Sequence, residues 1–212
     1  AGNVPQGSVT FKLGEQELGT GSVNNGIASI NVVFNETKTG NIIAYYHDAN
    51  VKYADSDSSD DSNQITINKG ATTITVPGSL SGNVGETVNI EAVVYDANRP
   101  DVIITSGIVS INGQDSEITN GKATYSYVIT GDDEVTITSY FKGNDNYNAS
   151  ENGITTVTKT LIPTVTKIID LPSDVFVGKT ITLKAQVTND SSIVAAGNVP
   201  QGSVTFKLGE QE

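Results

Sequence analysis

The stretch VGETVNIEAVV at residues 84–94 decides the fold class, because apolar residues occupy every second position along it. Side chains of a β-strand point alternately to the two faces of a sheet, so this spacing predicts a strand with one buried face. The residues expected on the buried face are Val88, Ile90, Ala92 and Val94. The chain is therefore expected to bury a core between sheets.

A second stretch, VGKTITLKAQV at residues 177–187, repeats this pattern in register. Its apolar positions are Ile181, Leu183, Ala185 and Val187. GSVTF at 202–206 then matches GIVSI at 107–111. Read from residue 163 to the end and continued from residue 18, the chain therefore aligns with its own middle part, residues 71–161, as two degenerate copies of one unit.

Each copy next contains an Asn-Gly pair, at residues 25–26 and 120–121. Type I′ hairpin turns need positive φ at both central positions, which Asn and Gly tolerate best. Strands are predicted after each turn, at 27–34 and 123–129, by renewed alternation of apolar residues. A further apolar strand in each copy, within 41–56 and 134–150, runs into a loop that closes at Tyr53 or Tyr147.

The first 17 residues, AGNVPQGSVTFKLGEQE, recur unchanged at residues 196–212, an offset of 195 residues. Such long-period identity predicts a tandem array. We predict that residues 1–69 hold the later strands of a first unit and that residues 70–162 form a complete domain. Residues 163–212 would then hold the early strands of the next copy of the first unit.

About seven short strands with turn signals over roughly 100 residues are typical of an immunoglobulin-like sandwich. We therefore predict an all-β fold of tandem immunoglobulin-like β-sandwiches with Greek-key connections. The linkers at 69–71 and 161–163 are short, which favours an extended rod. A closed barrel is the alternative, although neither copy shows the extra strands that closure would need.

The order of motifs resembles the immunoglobulin-like repeats of large bacterial and archaeal surface proteins, in particular the adhesin-like proteins of methanogenic archaea. The motifs are VG-x-T, G-x-V-x-[FI], Asn-Gly, and a Tyr-rich strand followed by D-x-N-Y-x-x-S. The last motif lies at residues 144–147 and, in altered form, at 48–53. The resemblance implies an extracellular, cell-surface location and a role in stalks or adhesion.

Composition excludes several functions. The net charge of -12 disfavours binding to nucleic acid and to anionic membranes. The absence of Cys excludes disulfides and thiolate chemistry, and no apolar run reaches the roughly 18 residues of a membrane span. The sequence also contains no Met, so we expect a processed or excised piece of a longer protein.

One acidic run, ADSDSSDDSN, is a candidate calcium site, since Ca²⁺ prefers clustered carboxylate oxygens. Its carboxylates are Asp55, Asp57, Asp60 and Asp61. The run lacks the Gly and the distal Glu of an EF-hand loop, and a solvated acidic loop is the alternative. Calcium is the only cofactor that the sequence suggests.

Two kinds of covalent modification are suggested by the sequence. Asn35, Asn148 and Asn189 begin N-x-S/T sequons and are candidate glycosylation sites. Lys167 is a candidate for an amide cross-link to Asn63 or Asn68, because its alignment with Ile74 or Val76 would bury it. A Lys that protects an exposed sheet edge is the alternative.

No enzymatic activity is expected. His47 is the only His, and no nucleophile motif accompanies it. We predict a structural repeat of an adhesin-like stalk whose partners are adjacent copies of the same repeat, head to tail, together with a host or neighbouring cell surface. The alternative is a module that binds a glycan or protein through surfaces around Tyr45, Tyr46, Tyr140 and Phe141.

Overall fold

The computed structural model describes residues 6–48, 50, 52–189 and 200–209. Every regular element in these ranges is a β-strand, and they hold no helix with the length and apolar character of a membrane span. By contacts the chain divides into two compact units. The first consists of Ala1–Gly78, Ile90–Tyr125 and Ile137–Thr155, and the second of Ser79–Asn89, Ser126–Thr136 and Thr156–Glu212.

The middle of the chain folds as a sandwich of two sheets. Its nine strands are β6 (Thr72–Thr75), β7 (Ser79–Asn83), β8 (Thr87–Asp96), β9 (Arg99–Ile103), β10 (Ile108–Ile111), β11 (Gln114–Glu117), β12 (Ala123–Val128), β13 (Glu134–Phe141) and β14 (Gly153–Thr160). One sheet has the order β11-β10-β13-β14-β7, and the other has the order β12-β8-β6 with β9 beside β8.

The core of this sandwich comes from alternate residues of the central strands, as the spacing predicted. Its buried apolar side chains include Ile90, Ala92, Val94, Val109, Ile111, Ala123, Ile137 and Phe141. The expected all-β immunoglobulin-like sandwich is therefore confirmed.

Nine strands form in the middle segment, where about seven were expected from the sequence. One reason is Pro77, which has no backbone N–H and lies between β6 and β7. On one side of this proline β6 pairs with β8, and on the other side β7 runs parallel to β14. The first strand of the sandwich is thereby divided into β6 and β7, which belong to different sheets.

Both predicted hairpin turns are confirmed. Asn25 and Gly26 have φ of 52° and 82°, and Asn120 and Gly121 have φ of 52° and 78°. The residues that flank the first turn, Asn24 and Ile27, exchange backbone hydrogen bonds of 2.8 and 3.0 Å. These turns depend on two neighbouring residues, and for that reason the local sequence predicts them well.

The first part of the chain forms one five-stranded sheet. Its strands are β1 (Ser8–Leu13), β2 (Gln16–Ser22), β3 (Lys38–His47), β4 (Ser56–Asp57) and β5 (Gln64–Ile67). The order is β2-β1-β3-β4, with β5 also pairing with β3. Leu13 is fully buried in this sheet, and its Cδ1 would lie 3.0 Å from a Cβ placed on Gly40.

The strand predicted at 27–34 does not form. Residues 28–34 keep an alternating pattern of half-buried and exposed positions but belong to no described strand. Ile30 packs over β2, with Cδ1 3.6 Å from where Gly19 would carry a Cβ. The equivalent strand of the middle sandwich is β12, which pairs with β8. The segment that matches β8 is 177–187, and no described strand pairs with residues 28–34.

The last part of the chain contains β15 (Thr164–Ile169) and β16 (Lys184–Asn189), which pair with each other. The strand predicted at 181–187 begins only at Lys184. The segment at 202–206, which matches the GIVSI segment of β10, forms no strand, although the residue sequence of 203–208 forms β1 at Ser8–Leu13. Strand β1 lies between β2 and β3, both of which follow it in sequence. Leu13 is 0% exposed, whereas its duplicate Leu208 is 87% exposed.

Because Leu13 and Leu208 share one local sequence, they form a matched pair for mutation. Leu13→Ala should lower the free energy of unfolding by about 2–5 kcal/mol, since it leaves a cavity in a packed sheet. Leu208→Ala should change it by no more than about 0.5 kcal/mol, as exposed substitutions do. Denaturant unfolding of both variants gives the comparison, and equal losses would contradict the assignment of the two environments.

Candidate functional site

A hydrogen-bonded joint surrounds Lys69 and Gly70, where the first sheet leads into the middle sandwich. The Gly70 N–H donates to the Asn146 carbonyl at 2.9 Å, and the Asn148 N–H donates to the Gly70 carbonyl at 2.9 Å. Lys69 Nζ donates to the Asn144 carbonyl. The loop at 143–148 therefore pairs with the linker on both sides of Gly70.

The shape of this loop is set by Asn144. Its Oδ1 accepts hydrogen bonds from the backbone N–H groups of Asn146 at 3.0 Å and Tyr147 at 2.9 Å, which is an Asx turn. Gly143 precedes it with φ of 86°, a conformation that favours glycine. The sequence G-N-D-N-Y thus forms a compact loop by its own side-chain hydrogen bonds.

The loop also holds the segment that precedes β3. Asn146 Oδ1 accepts a hydrogen bond of 2.9 Å from the Thr37 backbone N–H. Thr37 Oγ1 donates to the Asp145 carbonyl at 3.3 Å. Residues separated by more than 100 positions in the chain are joined here by one amide side chain and one hydroxyl.

Arg99 also joins the loop at 143–148 to the segment that precedes β3. Its guanidinium donates to Asp96 Oδ2 at 2.8 Å, to Asn35 Oδ1 at 2.8 Å and to the Tyr147 hydroxyl at 3.1 Å. The Tyr147 hydroxyl donates to Asp96 at 3.3 Å. Burial alone would raise the pKa of Asp96, but the hydrogen bonds from Arg99, from the Asn98 N–H and from Tyr147 outweigh it and lower that pKa. The carboxylate is therefore ionised and holds the guanidinium in place.

The network lies beside a recess in the surface. The recess has a volume of about 360 Å³ and is lined partly by Phe34, Ile67 and Tyr147. Of the polar residues that line it, Arg99 donates to Asp96 and Asn35, and Asn146 accepts from the Thr37 N–H. The sequence indicated the loop only as a motif and Asn35 only as a sequon, and it indicated neither Arg99 nor Thr37. No local pattern marks these residues as neighbours.

The loop at 48–53 is built on the same principle, although its sequence differs. Asp48 takes the place of Asn144 and accepts backbone hydrogen bonds from Asn50 at 3.0 Å, from Lys52 at 3.1 Å and from Tyr53 at 3.0 Å. These bonds, led by the one from Asn50, lower the pKa of Asp48. Ala49 and Val51 lie outside the described residues. Each copy of the unit thus has a loop organised by an Asx side chain and ending in Tyr.

The acidic run divides between separate local contacts. Asp55 lies 3.0 Å from His47 Nδ1, and Asp57 accepts a hydrogen bond of 2.9 Å from the Ser59 backbone N–H. Within the described ranges, no group of three or more His, Asp or Glu side chains is arranged to hold a metal ion. Calcium binding by Asp55, Asp57, Asp60 and Asp61 stays a prediction.

The three sequon residues occupy different surroundings. Asn35 and Asn148 are exposed and lie at the joint, where Asn35 accepts from Arg99 and Asn148 Nδ2 donates to the Lys69 carbonyl at 3.3 Å. Asn189 is half-buried at the end of β16. A glycan on Asn148 would compete with its contact to Lys69. Glycosylation of all three stays a prediction.

The register of β15 corrects the alignment behind the proposed cross-link. Lys167 pairs with Gln186, as Thr75 pairs with Val93 in the matching strands. Lys167 therefore corresponds to Thr75, an exposed position, and not to Ile74 or Val76. The Lys167 side chain is itself exposed. The amide cross-link to Asn63 or Asn68 remains a prediction without its original alignment argument.

The four aromatic residues of the alternative binding surface fall on two faces. Phe141 is fully buried and Tyr46 is half-buried, whereas Tyr45 and Tyr140 point outward and are 38% and 37% exposed. Lys12 Nζ lies 5.4 Å from the centre of the Tyr45 ring. One outward tyrosine is therefore present at equivalent positions of the two sequence copies.

Comparison with known proteins gives weak structural likeness only. No family model and no curated protein sequence matches the chain. Fibronectin(III)-like modules of Clostridium thermocellum CbhA superpose with a TM-score of 0.35 at 14% identity, covering 75% of this chain and 80% of that one. A Corynebacterium diphtheriae protein proposed to be membrane anchored gives a TM-score of 0.30 at 18% identity, with 77% and 47% covered.

The joint predicts a specific effect of Asn146→Ala. The substitution removes the acceptor of the Thr37 N–H, a loss of roughly 1 kcal/mol that should raise the open population of the linker about fivefold. Limited trypsin digestion, with the Lys69–Gly70 cut identified by mass, measures this opening. Asp145→Ala is the matched control, since Asp145 contributes its backbone carbonyl to Thr37. Equal cleavage of both variants would exclude a role for the amide.

The pKa of His47 should depend on its pairing with Asp55. The hydrogen bond and charge of Asp55 raise the pKa of His47 above its ordinary 6.5, and the hydrogen bond from His47 lowers the pKa of Asp55. The stability contributed by His47 is therefore fully present below pH 6.5 and is lost as pH rises through the raised pKa. Proton NMR of the single His should show this pKa, and Asp55→Asn should return it toward 6.5. An unchanged titration in that variant would refute the pairing.

Proposed function

We propose that this chain is the structural repeat of an extracellular, cell-surface stalk of the adhesin type, built from immunoglobulin-like domains that continue head to tail. The observation that supports the proposal best is the joint at Lys69 and Gly70. Hydrogen bonds from Asn146, Asn148 and Arg99 hold the linker and the segment before β3 against one loop. A stalk needs this kind of restrained connection between successive domains.

The exact repeat supports a uniform array. Residues 1–17 and 196–212 are identical, and both degenerate sequence copies have a loop that is organised by an Asx side chain and closes with tyrosine. In this function one kind of connection recurs along the molecule, with adjacent copies as the partners. The motif order that resembles methanogen adhesin-like proteins agrees with a surface location.

The function is mechanical and not catalytic. The Asp96–Arg99–Tyr147 network is an ionised and internally satisfied cluster, and its members bond to each other and to Asn35. His47 and Asp55 are exposed and form a two-residue pair on the surface. Both clusters stabilise local structure in this proposal.

Ligand binding is the second candidate. The observation in its favour is that Tyr45 and Tyr140 face outward at equivalent positions of the two sequence copies. Exposed aromatic rings present apolar faces with a polar tip, which suits glycan or protein contacts. Sequence variation among the copies of a full-length protein distinguishes the two roles, because a stalk keeps its loops alike and a binding tip has a divergent unit.

The stalk proposal predicts how length scales with the number of repeats. In polypeptides of one, two and three 195-residue repeats, each added repeat should lengthen the particle by about 80 Å, from two domains of about 40 Å each. Small-angle X-ray scattering measures the maximum dimension. A dimension that grows much more slowly than the number of repeats would show flexible or collapsed linkers and would refute the stalk.

A further inference from the structure

A row of side chains crosses the outward face of the first sheet. Thr10 of β1 lies directly opposite Tyr45 of β3, and Tyr45 lies opposite Asp57 of β4. On the other side of β1, Thr20 of β2 lies opposite Thr10, and their hydroxyl oxygens are 2.9 Å apart. Residues opposite each other in neighbouring antiparallel strands share one face of the sheet. The row therefore spans three strand spacings, about 14 Å.

A recess of about 320 Å³ lies over this row. Its lining includes Thr10, Tyr45, His47, Asp55 and Asp57. Strand β3 carries the tyrosine and the histidine, and it pairs with β1 on one side and with β4 on the other. The floor of the recess is therefore made by paired strands of one sheet.

The ring of Tyr45 is the apolar element of the recess. The side chain is exposed, and Lys12 Nζ lies 5.4 Å from the centre of the ring. This cation–π contact restrains the ring. A ring that is already held in place loses little conformational freedom when a ligand stacks on it. The apolar C–H face of a pyranose is complementary to such a ring, and the phenolic hydroxyl provides a polar tip.

Polar groups with unused hydrogen-bonding capacity surround the ring. His47 bonds to Asp55 through Nδ1 at 3.0 Å, so that Nε2 is the ring nitrogen that can bond to a ligand. Asp57 accepts from the N–H and the hydroxyl of Ser59 through Oδ1, which leaves Oδ2 for a ligand. Each sugar hydroxyl both donates and accepts, and a few such polar groups beside an apolar surface fix the orientation of a ligand.

The charges around the ring favour a neutral ligand. Lys12 and protonated His47 are cationic, and Asp55 and Asp57 are anionic, so these four groups balance. A cationic ligand would therefore gain little net attraction here. The net charge of -12 on the whole chain repels acidic polysaccharides.

We propose that the outward face of the first sheet binds a neutral polysaccharide, with a pyranose ring stacked on Tyr45 and sugar hydroxyls bonded to Thr10, His47 and Asp57. This inference goes beyond the stalk role. It assigns the second candidate function, ligand binding, to one surface and one class of ligand.

The corresponding face of the middle sandwich has a similar ring in different surroundings. Tyr140 lies opposite Ser110, which is 4% exposed. Asp115 of the next strand accepts a hydrogen bond of 2.7 Å from Lys142. The hydroxyl is thus covered and the carboxylate is held in an ion pair, whereas Thr10 and Asp57 line a recess beside Tyr45.

Affinity electrophoresis of the whole chain tests the proposal. Native gels contain galactomannan or a mixed-linkage β-glucan as neutral polymers, or polygalacturonate as an acidic one. A neutral polymer should retard the chain, and polygalacturonate should not. Tyr45→Ala should weaken the apparent affinity about tenfold, as the loss of an aromatic binding residue does. Tyr45→Phe keeps the ring and should retain most of the affinity.

Asp57→Ala gives a second test at the exposed end of the row and should weaken the affinity severalfold. The control is Ile154→Ala, which removes an exposed apolar side chain of β14 and should leave retardation unchanged. Thermal unfolding of each variant checks that the fold is retained.

Three results would overturn the proposal. They are no retardation by either neutral polymer, retardation that survives both Tyr45→Ala and Asp57→Ala, and equal retardation by polygalacturonate. Loss of retardation in Tyr140→Ala instead would place binding on the middle sandwich and also overturn it. The length added per repeat does not involve Tyr45, so that X-ray scattering tests the stalk function separately.

Discussion

Edge pairing between strands is the constraint on which the rest of this structure depends. A strand needs a neighbour for its backbone hydrogen bonds and a second layer to cover its apolar face. In the middle sandwich β8 is the neighbour of both β12 and β6, and the sheet β11-β10-β13-β14-β7 is the second layer, so that a closed core follows. In the other sequence copy, the segment that matches β8 lies about 150 positions along the chain from residues 28–34. Residues 28–34 belong to no described strand.

The joint at Lys69 and Gly70 follows from the same constraint. The loop at 143–148 leaves β13 at the end of the sandwich where the linker enters, and its backbone pairs with Gly70 as a short extension of the sheet hydrogen bonding. Asn144 gives the loop its shape, and Asn146 and Arg99 extend the contact to Thr37 and Asn35. A backbone pairing therefore positions side chains that restrain the connection.

The candidate site was only partly predictable from the sequence. The Asn-Gly turns and the loop ending in Tyr147 depend on residues a few positions apart, and the sequence predicted them. Arg99, Asn35 and Thr37 meet the loop from distant parts of the chain, and no spacing reveals this. The register of β15 was misjudged for a similar reason, because Lys167 was aligned by apolar character and its true position depends on pairing with Gln186.

The duplicated segment separates what sequence alone determines from what tertiary structure decides. Gly7 and Gly202 both have positive φ, at 126° and 142°, and Gly14 and Gly209 both have φ of 60°. At these two pairs of glycines the backbone conformation is thus alike in the two copies. Ser8–Leu13 form β1 and bury Leu13 because β2 and β3 pair with this segment, whereas no described strand pairs with residues 203–208. The conformation of a turn is determined by neighbouring residues, whereas the formation of a strand and the burial of its side chains depend on partners that are distant in the sequence.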